Sequence, residues 1–280
     1  MNRTDLLKSF EEAFGTTGTC DGLHWDVLTF TDPRPKMLLK YVGWVDVMGA
    51  SHMMQRAADA ASKSIGQLHE AVLKAVVGYS RNANISLHPL SDGVYVVAPD
   101  YGTVAAILAC VFRSYARSYL EVTSDSRDCL IRAAIAYGQT VDMEFLRPRL
   151  ARSLPDPSLQ ERLNSYFANI LHGNAFVAAH EAERKAPPFG IYHDESLRLF
   201  GRTKSGLPVA WPLEKWWCDR SKPNAKQRGF AEQFGKRLLD HFSWLEKHPM
   251  GSGMDEDDAG KKIEGYKRKI KEYFGLPDAP

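Results

Sequence analysis

The run MLLKYVGWVDVM, residues 37–48, constrains the fold more than any other stretch of this chain. Its Val, Tyr and Trp content predicts a strand, and the GAS motif that follows ends that strand in a turn and sets Ser51 to cap a helix. Ile65, Leu68, Val72 and Val76 then recur at helical spacing, which predicts a helix over roughly 51–78. One residue disturbs the strand. Asp46 places a carboxylate in an otherwise apolar run, just ahead of the glycine turn at Gly49.

The rest of the pattern fixes a fold class. ANISLHPLSDGVYVVAP holds two short strand-like runs joined around PLSDG, turn chemistry that reads as a hairpin with Asp92 at its tip. Val104, Leu108, Val111 and Tyr115 mark the next helix, and CLIRAAIAYGQTV the next strand, closed by Gly138. Leu159, Leu163, Phe167 and Ile170 share one face of a long helix, or of two that meet at Gly173, ended by Pro187 and Pro188. A first helix over 4–14 and a DPRPK loop precede all of this. The order strand, helix, hairpin, helix, strand, helix, strand predicts an α+β sandwich, with helices on one face of a mainly antiparallel sheet.

After about residue 200 the character changes. The Trp-rich connector LPVAWPLEKWWCDR leads to a helix carrying Phe230, Phe234, Leu238, Phe242 and Leu245 in register. A last helix opens with DEDD and ends KRKIKEYF, acids first and bases last as the helix dipole favours, with Ile263, Tyr266, Ile270 and Phe274 as its apolar stripe. Residues 1–200 are thus expected to form the main domain. Residues 201–280 form a connector and an accessory helical pair, packed on the core or on a second subunit.

Composition excludes several classes. In a chain of 280 residues, Lys+Arg 36 against Asp+Glu 34 leaves a net charge of +2, without the basic excess of a nucleic-acid binder. Cys20, Cys110, Cys129 and Cys218 make no C-x-x-C pair, so neither zinc site nor disulfide framework is indicated and a reducing cytoplasm fits. The longest apolar stretch, VAAILACVF, is far short of the roughly 18 residues a membrane span needs. The N-terminal segment has no signal-peptide core. Nine histidines make no metal spacing, and YKRKIK reads as a solvated helix face.

A carboxylate at the end of a central strand is costly to bury unless it is paired or bound to a cation. A hairpin strand starting at Asp92 can lie beside the strand ending at Asp46, which brings two hard oxygen ligands to one sheet edge. Such a pair suits Mg²⁺ or Mn²⁺, which keep positions for water and phosphate oxygens, and it is the skeleton of two-metal phosphoryl-transfer chemistry. The GAS turn adds a helix N-terminus able to hold phosphates on its backbone N–H groups. The plainer alternative pairs Asp46 with a buried Arg and leaves Asp92 as a turn residue.

These motifs carry a resemblance. WVDVMGAS resembles the first metal motif of class III nucleotidyl cyclases, LSDGVYVVAP their second, LIRAAIAYG their Arg-containing strand, and GNAFVAAHEAERKAPPFGI their following helix and short strand. Four blocks in the right order span residues 38–192. The departures matter equally. Counting from Gly173, the transition-state Asn of the purine cyclases falls on Val177 and their Arg on Glu181; the purine-reading position falls on His88 and its partner on Ile170. VDVMG, SDG, RAAIAYG and GNAFVAAHEAE together resemble the pyrimidine cyclases of the Pycsar anti-phage system.

That resemblance implies a catalytic domain over 1–200 that converts UTP, or alternatively CTP, into a 3′,5′-cyclic monophosphate that activates a separate effector. It also implies a homodimer with active sites between subunits. Two Mg²⁺ or Mn²⁺ ions would be held by Asp46, Asp92 and the Val47 carbonyl, with Gly49 and Ala50 offering amides to the phosphates and His88 facing the base. With position 181 acidic, positive charge for the transition state would come from Arg132, Arg184, Lys215 or Arg220. Trp211, Trp216 and Trp217 are either a base-stacking surface or, more simply, core or interface. The rivals are a nucleotide-binding module without turnover, motivated by the missing Asn and Arg, and an interaction scaffold.

Overall fold

The computed structural model describes residues 17–20, 23–26, 36–50, 54–55, 58–79, 84–121, 130–142, 171–218, 223–248 and 256–277. The expected helix over 4–14, the Ser51 cap, Cys129, the helix carrying Leu159 to Ile170, and Arg220 lie outside the described residues. Two units divide the chain, Met1–Pro35 and Lys36–Pro280. The first contains a two-stranded antiparallel ribbon, β1 (Thr17–Cys20) and β2 (Leu23–Asp26), in the register Thr17↔Asp26.

The second unit is built on β3 (Lys36–Val47), which is central in a six-stranded sheet. After it come α1 (Ala58–Tyr79), the hairpin β4 (Ser86–Leu90) and β5 (Gly93–Ala98), α2 (Tyr101–Glu121) and β6 (Ile131–Asp142). Next are α3 (Asn174–Glu183), β7 (Ile191–His193), α4 (Glu195–Phe200) and β8 (Leu213–Glu214). The strand order is β4-β5-β3-β6-β7-β8. Every neighbouring pair is antiparallel except β6 and β7, which run parallel. The α+β class stands, with a mixed sheet.

The expectation of helices on one face needs correcting, and the alternation along β3 explains why. Tyr41, Val45 and Val47 point with Val94, Val96, Ile131, Ala133 and Ile135 into a core that also holds α1 and α2. Val42 and Trp44 point the other way, with Tyr95, Val97 and Ala136, into a second core closed by Ala175, Phe176 and Ala179 of α3. A strand apolar at odd and even positions alike is one buried on both faces. β6 also runs past Gly138 to Asp142, because its far end pairs with residues 36–40 of β3 and anchors the start of α3. There the Val141 N–H donates to the His172 carbonyl at 2.7 Å, and the Gln139 N–H to Asn174 Oδ1 at 2.8 Å.

The tail forms α5 (Ala225–Lys247), opened by an Asn224–Gln227 capping box, and α6 (Glu256–Phe274). Both join the core of the first face. Trp216 is the hub: it is 1% exposed, donates its indole N–H to the Phe189 carbonyl at 2.6 Å, and meets Phe112, Phe189 and Phe234. Trp217 stacks on Phe274, with ring centroids 4.8 Å apart. Two of the three connector tryptophans are therefore core. The third, Trp211, is exposed, and its indole N–H reaches the Glu214 carboxylate at 3.3 Å. Burial alone would raise the Glu214 carboxyl, but donors from His193, Tyr101 and Trp211 hold it below its usual value. No described helix is long and apolar enough to cross a membrane.

His241 on α5 titrates against this packing. Burial, then the charge of Arg237, push its pKa down to about 4 from 6.5. A base held neutral by the fold adds stability above its unfolded pKa, and that stability is lost as pH falls from 6.5 toward 4. The loss is at most about 3 kcal/mol. Substituting His241→Leu is expected to remove this component. The wild-type-minus-variant difference in unfolding free energy, measured by urea titration, then falls between pH 7.5 and pH 4.5.

Candidate active site

Alternation on β3 puts Asp46 on the α3 side of the sheet, next to Trp44 and away from the α1–α2 core. Its cross-strand neighbours are Gly93 on β5 and Arg132 on β6. Asp92 occupies the β4–β5 turn, and its carbonyl accepts the Val47 N–H at 3.2 Å, which pins the turn to the end of β3. Ser91 beside it takes a left-handed conformation, φ 46°. Glycine at 93 is required by a neighbour: a Cβ there would clash with Cη2 and Cζ2 of Trp44 and lie 2.8 Å from the Val45 carbonyl oxygen. Trp44, 4% exposed, thus lies across Gly93 with its ring 4.3 Å from that of Tyr95.

The electrostatics of the pair are unbalanced. Burial is the largest influence on Asp46 and the negative charge of Asp92 the next, and together they push its carboxyl up to about 7. Arg132 and the Val47 N–H pull in the opposite direction without offsetting them. Arg132 is engaged elsewhere, donating from Nε to Glu183 at the end of α3. The Arg132 guanidinium thus acts on Asp46 only from a distance while it is paired with Glu183.

This arrangement fits a divalent cation. Among the described residues no group of three His, Cys, Asp or Glu side chains could hold a metal, so the protein's side-chain contribution would be the two acids. Mg²⁺ and Mn²⁺ accept such a sparse set, taking backbone carbonyl, water and phosphate oxygens for the rest. An under-compensated carboxylate pair is what a cation would relieve. At the turn that follows, Met48 donates its N–H to the Leu130 carbonyl at 2.7 Å, Gly49 is exposed with φ 78°, and Ala50 is buried.

The other expected site residues are spread more widely. His88, half-buried on β4, has Nε2 3.1 Å from Ser86 Oγ and its ring edge-on to Phe176. Arg184 caps the end of α3 and is exposed. Lys215 is exposed in the connector, far along the chain from the two acids, and its carbonyl accepts the Cys218 N–H. Val177, 58% exposed, and Glu181 lie on the open side of α3. Arg132, one of the expected sources of transition-state charge, is paired with Glu183.

Two residues escaped the sequence reading. Glu183 had a signal: it is in phase with Ala175, Phe176, Ala179 and Ala182 on the buried stripe of α3, whereas Glu181 is not. Lys269 on α6 had none. Its Nζ donates to the Arg184 carbonyl at 3.1 Å, 85 residues away, and burial followed by the charge of Arg132 lowers its pKa.

No protein-family model matches the chain, and no curated protein does. Solved structures similar to it include a bacterial light-regulated adenylyl cyclase, 9% identical, covering 38% of this chain and 56% of that one, TM-score 0.33. An adenylate/guanylate cyclase/hydrolase from Silicibacter pomeroyi is 15% identical over 58% of this chain and 78% of its own, TM-score 0.42. The monomeric guanylyl cyclase domain of a RhoGC fusion protein from the aquatic fungus Blastocladiella emersonii is 13% identical over 59% and 85%, TM-score 0.40. With TM-scores below 0.5 these similarities carry no weight on what this chain does, and its own residues must.

Replacing Asp46→Asn removes a partly desolvated, repelled charge while keeping shape. In chelator-treated protein at pH 8 this variant is expected to be more stable than wild type by about 1–3 kcal/mol in urea unfolding. Gly93→Ala is expected to cost about 2 kcal/mol or more, since Trp44 or the β3 backbone must move.

Proposed function

We propose that the chain is a nucleotidyl cyclase that converts UTP into 3′,5′-cyclic UMP and pyrophosphate. The observation that supports this most is the meeting of Asp46 and Asp92 at one end of the sheet, pinned by the Val47 to Asp92 hydrogen bond and short of positive charge. Asp46 and Asp92, with the Val47 carbonyl, would hold two Mg²⁺ or Mn²⁺ ions. When bound, such ions lower the pKa of the ribose 3′-hydroxyl and neutralise the β- and γ-phosphates.

The chain's own groups do the remainder. Gly49 and Ala50 present backbone amides to the phosphates where the strand gives way to a helix. The left-handed Gly49 keeps that approach open, with no atom within 4 Å of a hypothetical Cβ. With Arg132 held by Glu183, the cations left to face leaving phosphate charge are Arg184 and Lys269 beside it, or Lys215. His88 faces the base, its ring fixed against Ser86 and Phe176. A second copy of the chain would complete the site across the open side of α3, where Val177 and Glu181 are exposed.

The product would act on a separate effector in anti-phage defence, as the resemblance to pyrimidine cyclases implies. Cytidylate cyclase is the nearest alternative, because uracil and cytosine differ only by exchanging donors and acceptors on one ring edge. A module that binds nucleotide without turnover is the other. Incubating the purified protein with each of the four NTPs and Mn²⁺, and identifying products by mass, separates these readings. Cyclic UMP is expected from UTP, and Asp46→Ala and Asp92→Ala are each expected to reduce turnover at least a thousandfold with the fold retained by circular dichroism. Turnover surviving Asp46→Ala would overturn the two-acid mechanism.

A further inference from the structure

Glu183 is a buried acid, 3% exposed, that the two-acid mechanism does not use. Its partner is unexpected. Arg132 sits directly across from Asp46 in the β3–β6 register and on the same side of the sheet, where side chains of antiparallel neighbours lie about 5 Å apart. A guanidinium in that position would ordinarily fork onto the adjacent carboxylate. Among the described residues Arg132 makes no hydrogen bond or ion pair with Asp46, and its Nε donates to Glu183 instead.

The residues chosen for α3 support this diversion. Ala175, Ala179 and Ala182 let α3 lie close to the sheet, and its start is tied to β6 through Asn174 and His172. Nine residues after Asn174 the helix delivers Glu183 to Arg132. Lys269 fixes that end of the helix from the outside by its bond to the Arg184 carbonyl.

We propose that Glu183 is a positioning residue that holds Arg132 off Asp46 and so keeps the two-acid site open to a divalent cation. The inference rests on the metal-binding reading above. Without Glu183, Arg132 turns to Asp46 and competes with the ion for the same carboxylate.

Mn²⁺ titration of nucleotide-free protein, read by the electron paramagnetic resonance signal of free Mn²⁺, tests this without turnover. Glu183→Gln is expected to weaken Mn²⁺ binding tenfold or more. Combining Glu183→Gln with Arg132→Met, which removes the buried charge pair whole, is expected to restore binding to within threefold of wild type. Unchanged binding in the single variant overturns the proposal, and so does a double variant that still binds tenfold more weakly. If the single variant does not fold, the double variant alone decides by the same criterion. Asp46→Asn in the same titration separates the two levels: Mn²⁺ binding that survives it removes the metal-binding reading itself.

Discussion

A half-buried carboxylate on a central strand is the constraint on which the rest of this structure turns. Asp46 has lost most of its water, faces a second acid, and receives too little positive charge to restore its ordinary acidity. Isolated, such a group destabilises the fold. The surroundings do nothing to remove it: the turn bearing Asp92 is bonded to the end of β3, and Gly93 is kept bare of a side chain so that Trp44 can pack across it. Local rules are broken here and obeyed on either side, the pattern expected where a site rather than a core has shaped the residues.

How far the sequence alone carries depends on the range of the interaction. The strand ending at Asp46, the hairpin with Asp92 at its turn and the helix stripes are read from periodicity and turn chemistry within windows of ten to twenty residues, and the described residues contain the strand, the hairpin and the helices striped by Leu68, Leu108, Phe234 and Ile263. The two faces of the sheet were not separated, although β3 is apolar at Val42 and Trp44 as well as at Tyr41 and Val45. A doubly buried strand shows no alternation, and a continuous apolar run does not say how many helices will cover it. The continuation of β6 beyond Gly138 was likewise hidden, since it depends on pairing with residues about 100 positions earlier.

The candidate site divides in the same way. Its acids were legible because a carboxylate in a strand and an S-D-G turn are local anomalies. Arg132 was legible as a candidate cation but its pairing was not, because its partner lies 51 residues on and is chosen by helix phase. Of the two acids in HEAE, the buried stripe of α3 selects Glu183 and leaves Glu181 in solvent. Lys269 belongs to a contact that no local pattern announces.

That contact changes the meaning of the tail. Trp216 and Trp217 bury themselves among Phe112, Phe189, Phe234 and Phe274, so α5 and α6 share a core with the sheet and are more than an appendage. The Phe189 carbonyl that receives the Trp216 indole N–H lies between α3 and β7, while the Phe189 N–H donates to the Ile131 carbonyl next to Arg132. Lys269 then closes the circuit at Arg184, where a cation opposite the carbonyl end of a helix is favourable. The end of α3, and with it the orientation of Glu183, is held by the sheet on one side and by the C-terminal helix on the other. The strand that carries Asp46 and the tail 220 residues later are therefore parts of one electrostatic and packing unit.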